Sequence, residues 1–146
     1  MNTALCDGND SNMFVTLFVG ALDLRTGRLL YCNAGHDAPY LQDMLLQCDP
    51  NLPIGVMSDW PFSEQEIDIV PGSTVFLYTD GLTEAENARS EQFERQRVIE
   101  IVSSSIAEAY SPQELVETMT AAVRQFVGET EQSDDLTMLA IKYTKG

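Results

Sequence analysis

The sequence predicts a mixed α/β (α+β) fold in one domain over residues 1–146. Three observations predict this class. The first half of the chain carries a β-hairpin pattern, the second half carries two amphipathic helical patterns, and the chain closes on an apolar strand. No repeat or linker divides it. With 146 residues, of which 44% are apolar, the chain is long enough and apolar enough to bury a core.

Strand patterns dominate the first half. Met13–Leu24 is mostly apolar and β-favouring, so we expect a buried strand there. Its antiparallel partner is expected at Leu29–Ala34, after a loop in which Gly27 can take a positive φ. Ala38–Leu41 indicates a short strand. The alternation of Gln65–Val70 is typical of a half-exposed one.

The second half adds a central strand, two helices and a last strand. Thr74–Tyr78 is a continuous apolar run, as in a central strand. Helical spacing predicts a helix over Phe93–Tyr110. The residues Ser-Pro-Gln-Glu at 111–114 form a capping box that starts a second helix, which Gly128 closes. Leu136–Tyr143 reads as the final strand.

The charge balance excludes several partners. Eight basic residues against 23 acidic ones give a net charge of -15. Such a surface repels nucleic-acid phosphates and anionic lipid surfaces, so we expect neither as a partner. No apolar run has the length of a membrane span, and the N-terminus lacks the basic start of a signal peptide.

Cysteine usage indicates a reducing compartment. Cys6, Cys32 and Cys48 are an odd set without CxxC spacing, whereas a secreted disulfide framework has an even, dense set. We therefore expect reduced thiols in a cytoplasmic protein, with Cys32 packed as a small apolar residue.

Carboxylates flank two of the apolar strands. Asp80 follows the strand Thr74–Tyr78, and Asp134 and Asp135 precede the strand Leu136–Tyr143. If these strands are antiparallel neighbours, the end of one and the start of the other lie at the same sheet edge. Clustered carboxylates without His or Cys suit a hard cation such as Mg²⁺ or Mn²⁺.

The same acidic residues also allow interpretations without a metal site. An Asp-Gly pair after a strand, as at Asp80-Gly81, is commonly a turn, and the pair Asp134-Asp135 can be solvated surface. A phosphoacceptor receiver domain fits poorly, because its acid pair comes early and its strands alternate with helices throughout.

Blocks of sequence, in a fixed order, carry a family resemblance. They are Met13–Phe18 leading into Gly20-Ala21-Leu22-Asp23, Asn33-Ala34-Gly35-His36, Leu52-Pro53-Ile54-Gly55-Val56, Tyr78-Thr79-Asp80-Gly81-Leu82-Thr83-Glu84-Ala85-Glu86-Asn87, and Gln132-Ser133-Asp134-Asp135-Leu136-Thr137. Together they resemble the SpoIIE/RsbU branch of the PPM (protein phosphatase 2C-like) serine/threonine phosphatases. The resemblance runs from Met1 to Tyr143.

This resemblance implies a fold and a metal site. The implied fold is a two-sheet β-sandwich flanked by helices. The implied site is a two-metal centre of Mn²⁺ or Mg²⁺ held by aspartates, in which Asp80 and Asp134 match ligand positions. Asp135 stands beside them as a further metal residue, where relatives have Asp or Asn. Asp80 and Asp134 are thus the predicted catalytic residues.

The implied activity is hydrolysis of phosphoserine or phosphothreonine on a protein. Metal ions activate a water that attacks phosphorus in line, and they neutralise charge on the phosphoryl oxygens. Relatives often act on small anti-sigma antagonist proteins, so the resemblance implies that substrate class for this chain.

One departure from the family pattern bears on activity. The family carries a further metal-bridging Asp in a Gly-Asp-Val-Ser-Gly-like segment, and no such segment occurs here; Asp7-Gly8 lies in the wrong place for it. We expect this chain to be the C-terminal part of the domain, missing its N-terminal strands and first helix. Exposed strand edges would then favour a homodimer. The alternative function is a catalytically inactive fragment that serves as an interaction module.

Four further residues are candidates for supporting roles. Gly81 permits a sharp turn or close approach to a ligand. His36, the single histidine, either supports the site or closes a strand end by hydrogen bonds. Glu84 and Asn87 either order the loop after Asp80 or serve as helix-capping or solvated residues.

Overall fold

The computed structural model describes residues 1–130 and 134–144. Residues 131–133 and 145–146 lie outside the described residues, and with them Gln132 and Ser133 of the last predicted block. The described residues form two compact units. The first unit comprises residues 1–38 and 47–71, and the second comprises residues 39–46 and the described part of 72–144. The prediction of one domain over residues 1–146 stays a prediction.

The described residues contain three α-helices, seven strands and a short 3₁₀ turn at Asp80–Leu82. In chain order the elements are α1 (Asn2–Cys6), β1 (Leu17–Leu22), β2 (Arg28–Ala34), β3 (Tyr40–Leu41), β4 (Met44–Leu45), β5 (Gln65–Asp68), β6 (Thr74–Tyr78), α2 (Glu94–Ala107), α3 (Pro112–Val127) and β7 (Met138–Lys142).

The first unit holds an antiparallel sheet of order β1-β2-β5. Its hairpin confirms the prediction, with Leu22 opposite Leu29 and Gly27 at φ 83° in the connecting loop. β5 alternates between half-buried and exposed residues, as predicted. In this unit α1 precedes a turn in which Gly8 has φ 71°.

The prediction of a buried strand over Met13–Leu24 is wrong in extent and in burial. β1 begins only at Leu17, and among the described residues it is paired on one side only, with β2. Met13 and Phe14 are 70% and 58% exposed. A run of apolar residues indicates a strand, but it does not show how many of its neighbours cover it.

The second unit holds an antiparallel sheet of order β4-β3-β6-β7, with β6 inside it as predicted. Helices α2 and α3 pack together, and α3 packs on β7. The buried core joins sheet and helices through Tyr40, Phe76, Tyr78, Leu82, Ala85, Phe93, Val98, Val102, Leu115, Met119 and Val123. The apolar faces of both helices therefore close one side of this sheet.

The ends of the helices follow their local chemistry. The Ser111 side chain accepts from the Glu114 N–H, and the Glu114 side chain accepts from the Ser111 N–H, which confirms the capping box. Gly128, at φ 65°, closes α3. Helix α2 ends at Ala107, short of the predicted Tyr110, because Ala109 takes a positive φ.

The three cysteines are free thiols that are all half-buried. Burial raises the pKa of the Cys32 thiol, and the nearby Glu64 carboxylate adds to the shift. Among the described residues no helix combines the length and apolar character that crossing a membrane requires.

Candidate metal centre

Strands β6 and β7 bring the predicted acids to one edge of the second sheet. The two strands are antiparallel neighbours, with Tyr78 opposite Met138 at the last pair, which confirms the predicted arrangement. Asp80 begins a 3₁₀ turn directly beyond β6. β7 begins at Met138 and not at the predicted Leu136, so Asp134 and Asp135 precede it by a few residues on the same side. The end of β6 and the start of β7 therefore carry all three carboxylates.

At Gly81 the Asp80 turn lies in close contact with the backbone of Asp135. A Cβ atom at Gly81 would lie 2.5 Å from the carbonyl oxygen of Asp135 and 3.1 Å from its carbonyl carbon. Real Cβ atoms do not come that close to backbone atoms. Glycine is required here because the Asp134-Asp135 segment passes directly over the Asp80 turn.

The carboxylates of Asp80 and Asp134 are each oriented by a hydrogen bond from the backbone N–H of the following residue. Gly81 donates its N–H to Oδ1 of Asp80 at 3.0 Å, and Asp135 donates its N–H to Oδ1 of Asp134 at 2.7 Å. Such bonds restrict the rotamer of each carboxylate while all three carboxyl groups stay exposed to solvent. The edge thus presents oriented oxygen ligands to water.

Thr79 connects the two segments across the edge. Its hydroxyl donates to the carbonyl oxygen of Asp135 at 3.2 Å and accepts from the Thr137 N–H at 3.1 Å. The sequence pattern did not single out Thr79. The available signal was a hydroxyl residue placed between an apolar strand and an Asp-Gly turn.

The loop after Asp80 is tied to its own start. The carbonyl oxygen of Asp80 accepts from the Glu84 N–H at 2.9 Å and from the Thr83 hydroxyl at 3.1 Å. Further on, Oδ1 of Asn87 accepts from the N–H groups of Arg89 and Glu91. Asn87 therefore orders this loop, whereas the Glu84 side chain is exposed.

The same loop is anchored on α2 by Phe93. This side chain is buried in the core, and its N–H donates to the carbonyl of Ala85 at 2.9 Å. Arg97 donates to the carbonyl of Phe93 at 2.7 Å, and its guanidinium lies 4.7 Å from the ring centroid of Phe126. The Asp80 turn is thus held at both ends by packed structure.

His36 belongs to the first unit, and its contacts close the end of β2. Its N–H donates to Oδ1 of Asn33, and the Asn33 side-chain amide donates to the His36 carbonyl, both at 2.8 Å. Nδ1 of His36 lies 2.8 Å from the carbonyl oxygen of Asp37. These bonds match the structural alternative for His36.

The donor chemistry of the second unit fits a hard cation. The single histidine and all three cysteines of the chain lie in the first unit, so the acids at the β6–β7 edge offer oxygen ligands only. Mg²⁺ and similar ions bind in proteins through one or two carboxylates while keeping several waters. Within residues 1–130 and 134–144, no three His, Cys, Asp or Glu side chains form a metal-holding group. The fit is therefore to a partial ligand set.

The family follows from a match over nearly the whole chain. The model of the family described as Stage II sporulation protein E (SpoIIE) matches residues 1–144. The chain belongs to the SpoIIE family, within the SpoIIE/RsbU-type PPM phosphatases, as the ordered sequence blocks predicted.

Individual relatives agree with this assignment. Protein IcfG of Synechocystis is 30% identical over 138 residues, which is 90% of this chain and 21% of that protein. Phosphoserine phosphatase RsbU of Bacillus subtilis is 23% identical, over 97% of this chain and 43% of that protein. The chain therefore spans less than half the length of these curated relatives.

A solved structure shows the fold. The PP2C phosphatase domain of the cell fate determinant SpoIIE from Bacillus subtilis, solved with a fragment of its regulatory domain, superposes with a TM-score of 0.75 at 17% identity. The superposition covers 99% of this chain and 43% of that one. The two antiparallel sheets and their helices thus have the PPM phosphatase fold, which confirms the predicted fold class.

Proposed function

We propose that this chain carries the Asp80 and Asp134 part of a metal-dependent protein serine/threonine phosphatase site. One observation carries the proposal. The pairing of β6 with β7 brings Asp80 and the Asp134-Asp135 segment to one sheet edge, where Gly81 lies against the backbone of Asp135. Membership of the SpoIIE family supports the reaction class. So does the relative named phosphoserine phosphatase RsbU.

Asp80 and Asp134 would hold Mn²⁺ or Mg²⁺, with Asp135 as the neighbouring carboxylate. A bound divalent cation lowers the pKa of water and neutralises charge on phosphoryl oxygens. The residues of this chain orient the ligands through the N–H groups of Gly81 and Asp135. The exposure of the acids leaves the edge open to a phosphate on another protein.

The net charge gives a bound cation a second role, in substrate binding, beside its role in the chemistry. A chain of net charge -15 repels a phosphorylated segment unless the charge at the site is compensated. We propose a phosphoserine- or phosphothreonine-containing regulatory protein as the substrate, of the anti-sigma antagonist class that the resemblance implies. The cytoplasm is the compartment that we propose for this reaction.

The proposal is tested by Mn²⁺-dependent hydrolysis of a phosphoserine peptide. Asp80→Ala and Asp134→Ala are each expected to lower the rate by more than the roughly 10–100-fold that loss of an outer-sphere partner costs. Asp43→Ala is the matched control, because Asp43 is an exposed aspartate in the turn between β3 and β4 of the same unit. Activity that survives both site substitutions would refute the site.

The alternative function is a non-catalytic interaction module. One observation favours it: in the described part of the chain, no three candidate ligands form a metal-holding group. Absence of hydrolysis by the parent chain, at Mn²⁺ concentrations that saturate any binding, would support this alternative.

Self-association is a separate proposal, which concerns the first unit. Val19 on β1 is 53% exposed, and β1 is an edge strand within the described residues. Apolar edges of this kind favour pairing with a second chain. A homodimer in light scattering would support the proposal, and a monomer at all concentrations would overturn it.

A further inference from the structure

Thr79 lies where the backbone leaves the second sheet and enters the Asp80 turn. Its N–H donates to the carbonyl oxygen of Thr137 at 3.1 Å, which continues the β6–β7 ladder by one pair. In an antiparallel pair of this type, the Thr137 N–H would return to the carbonyl of Thr79. Here it donates to the Thr79 hydroxyl at 3.1 Å instead.

This exchange leaves the carbonyl of Thr79 available for the turn. That oxygen accepts from the Leu82 N–H at 2.9 Å, which closes the 3₁₀ turn Asp80–Leu82. The side chain therefore completes the sheet while the main chain begins the turn. Each backbone group at the junction keeps a partner, although the chain changes direction within one residue.

The same hydroxyl also holds the second acidic segment. A threonine hydroxyl has one donor hydrogen and two acceptor lone pairs. At Thr79 the donor goes to the carbonyl of Asp135 at 3.2 Å, and one acceptor position takes the Thr137 N–H. The Asp134-Asp135 segment is thus fastened to the residue directly before Asp80.

We propose that Thr79 is a positioning residue that sets the separation between Asp80 and the Asp134-Asp135 segment, and thereby the affinity of the edge for a divalent cation. This inference rests on the metal site proposed above. Thr79 acts through the backbone of its neighbours and not as a ligand. Only serine offers the same hydroxyl at this position, whereas valine matches the shape of threonine without the hydrogen bonds.

The test is a Mn²⁺ titration of the ¹⁵N-labelled full chain, followed by NMR line broadening at the amides of Gly81 and Asp135. Paramagnetic broadening reports binding without any turnover. In the parent chain both amides are expected to broaden with one midpoint. Thr79→Val is expected to raise the midpoint about tenfold, the lower end of outer-sphere effects on metal affinity. Thr79→Ser is expected to stay within about twofold, because it keeps the hydroxyl.

The amide of Phe76, inside β6, serves as the control for folding. If Thr79→Val shifts the Phe76 amide signal, Thr79→Ala replaces Thr79→Val in the comparison. Thr79→Ala also removes the hydroxyl, and its side chain is smaller. A midpoint that Thr79→Val or Thr79→Ala leaves unchanged overturns the inference alone, as does an equal loss in Thr79→Ser. Absence of broadening at both amides in the parent chain overturns the metal site itself and the inference with it.

Discussion

Between its sheet and its helices the second unit buries a closed apolar core, although Leu139 and Ile141 on β7 are 51% and 45% exposed. The first unit leaves more of its large apolar side chains in water. Val98 and Val102 on α2 have no exposed surface. Leu24 of the first unit is 67% exposed, and Met13 and Phe14 are similarly open. Helices α2 and α3 pack on one face of the second sheet, whereas the first unit contains, among the described residues, only the five-residue helix α1.

This contrast in packing explains why the candidate metal site lies in the second unit. Ligands must be held within a fraction of an ångström to bind a metal well, and packed elements hold them better than loops do. Asp80 follows a central strand, and its loop is pinned by the buried Phe93. The acids therefore stand on the better-packed unit.

The largest expected effect tests the contrast in the cores. Leu115→Ala, in α3, removes a buried side chain and is expected to lower the free energy of unfolding by about 2–5 kcal/mol. Leu24→Ala makes the same chemical change at an exposed site and is expected to stay within about 0.5 kcal/mol. Urea unfolding of both variants measures the difference. Equal losses would contradict the contrast.

Two glycines give the next comparison. At Gly81 a Cβ atom would meet a backbone oxygen at 2.5 Å, and at Gly20 it would meet a flexible Leu29 side chain at 3.2 Å. Gly81→Ala is therefore expected to destabilise by about 1–3 kcal/mol through overpacking, and to displace Asp135. Gly20→Ala is expected to change stability by less than about 1 kcal/mol. Thermal unfolding of both variants measures the change in stability, and the amide chemical shift of Asp135 reports its displacement. An unshifted Asp135 in Gly81→Ala would contradict the close approach.

Helix capping gives a smaller difference between the units. α3 begins with the capping box of Ser111, whereas α1 has no side-chain cap. Ser111→Ala is expected to cost about 1 kcal/mol in the free energy of unfolding. Ser111→Asp is the control, because it keeps an oxygen at the cap and is expected to stay near the parent value. A loss as large in Ser111→Asp as in Ser111→Ala would argue against the cap.

The smallest expected effect is a pH dependence at the same cap. Hydrogen bonds from the Ser111 N–H and hydroxyl hold the pKa of Glu114 below its usual range. A carboxyl whose pKa is lower in the folded state stabilises the fold above its unfolded pKa, and this stabilisation is lost as the pH falls through the folded pKa. The difference in the free energy of unfolding between Glu114→Gln and the parent is thus expected to be largest at about pH 7 and to shrink as the pH falls through the folded pKa of Glu114. A difference that persists unchanged in acid would contradict the assigned pKa direction.

Local signals predicted the second unit well and the first unit less well. β6 occupies Thr74–Tyr78 and α3 occupies Pro112–Val127, because an apolar run and a capping box each specify an element without distant help. The exposure of Met13 depends on which neighbours cover it, so a pattern along the chain does not contain it. β4, at Met44–Leu45, is a two-residue strand that pairs, within the described residues, only with β3, and no pattern along the chain predicted it.

The sequence predicted which aspartates lie together at the candidate site, but it did not predict the hydrogen bonds that connect their segments. Strand order and antiparallel pairing were enough to bring Asp80 and Asp134 to one edge. The exchange of a backbone carbonyl for the Thr79 hydroxyl was not predictable, because it depends on where the chain bends out of the sheet.

Mn²⁺ binding by the parent chain and its Asp80→Asn, Asp134→Asn and double variants, measured by titration calorimetry, tests the central claim most directly. If both carboxylates hold the same ion, each single substitution abolishes most of the binding and the double substitution adds little, since interacting residues are not additive. Asp43→Asn, with the same loss of charge, should bind as the parent does. Parent-like affinity in both Asp80→Asn and Asp134→Asn would contradict a shared metal site at the β6–β7 edge.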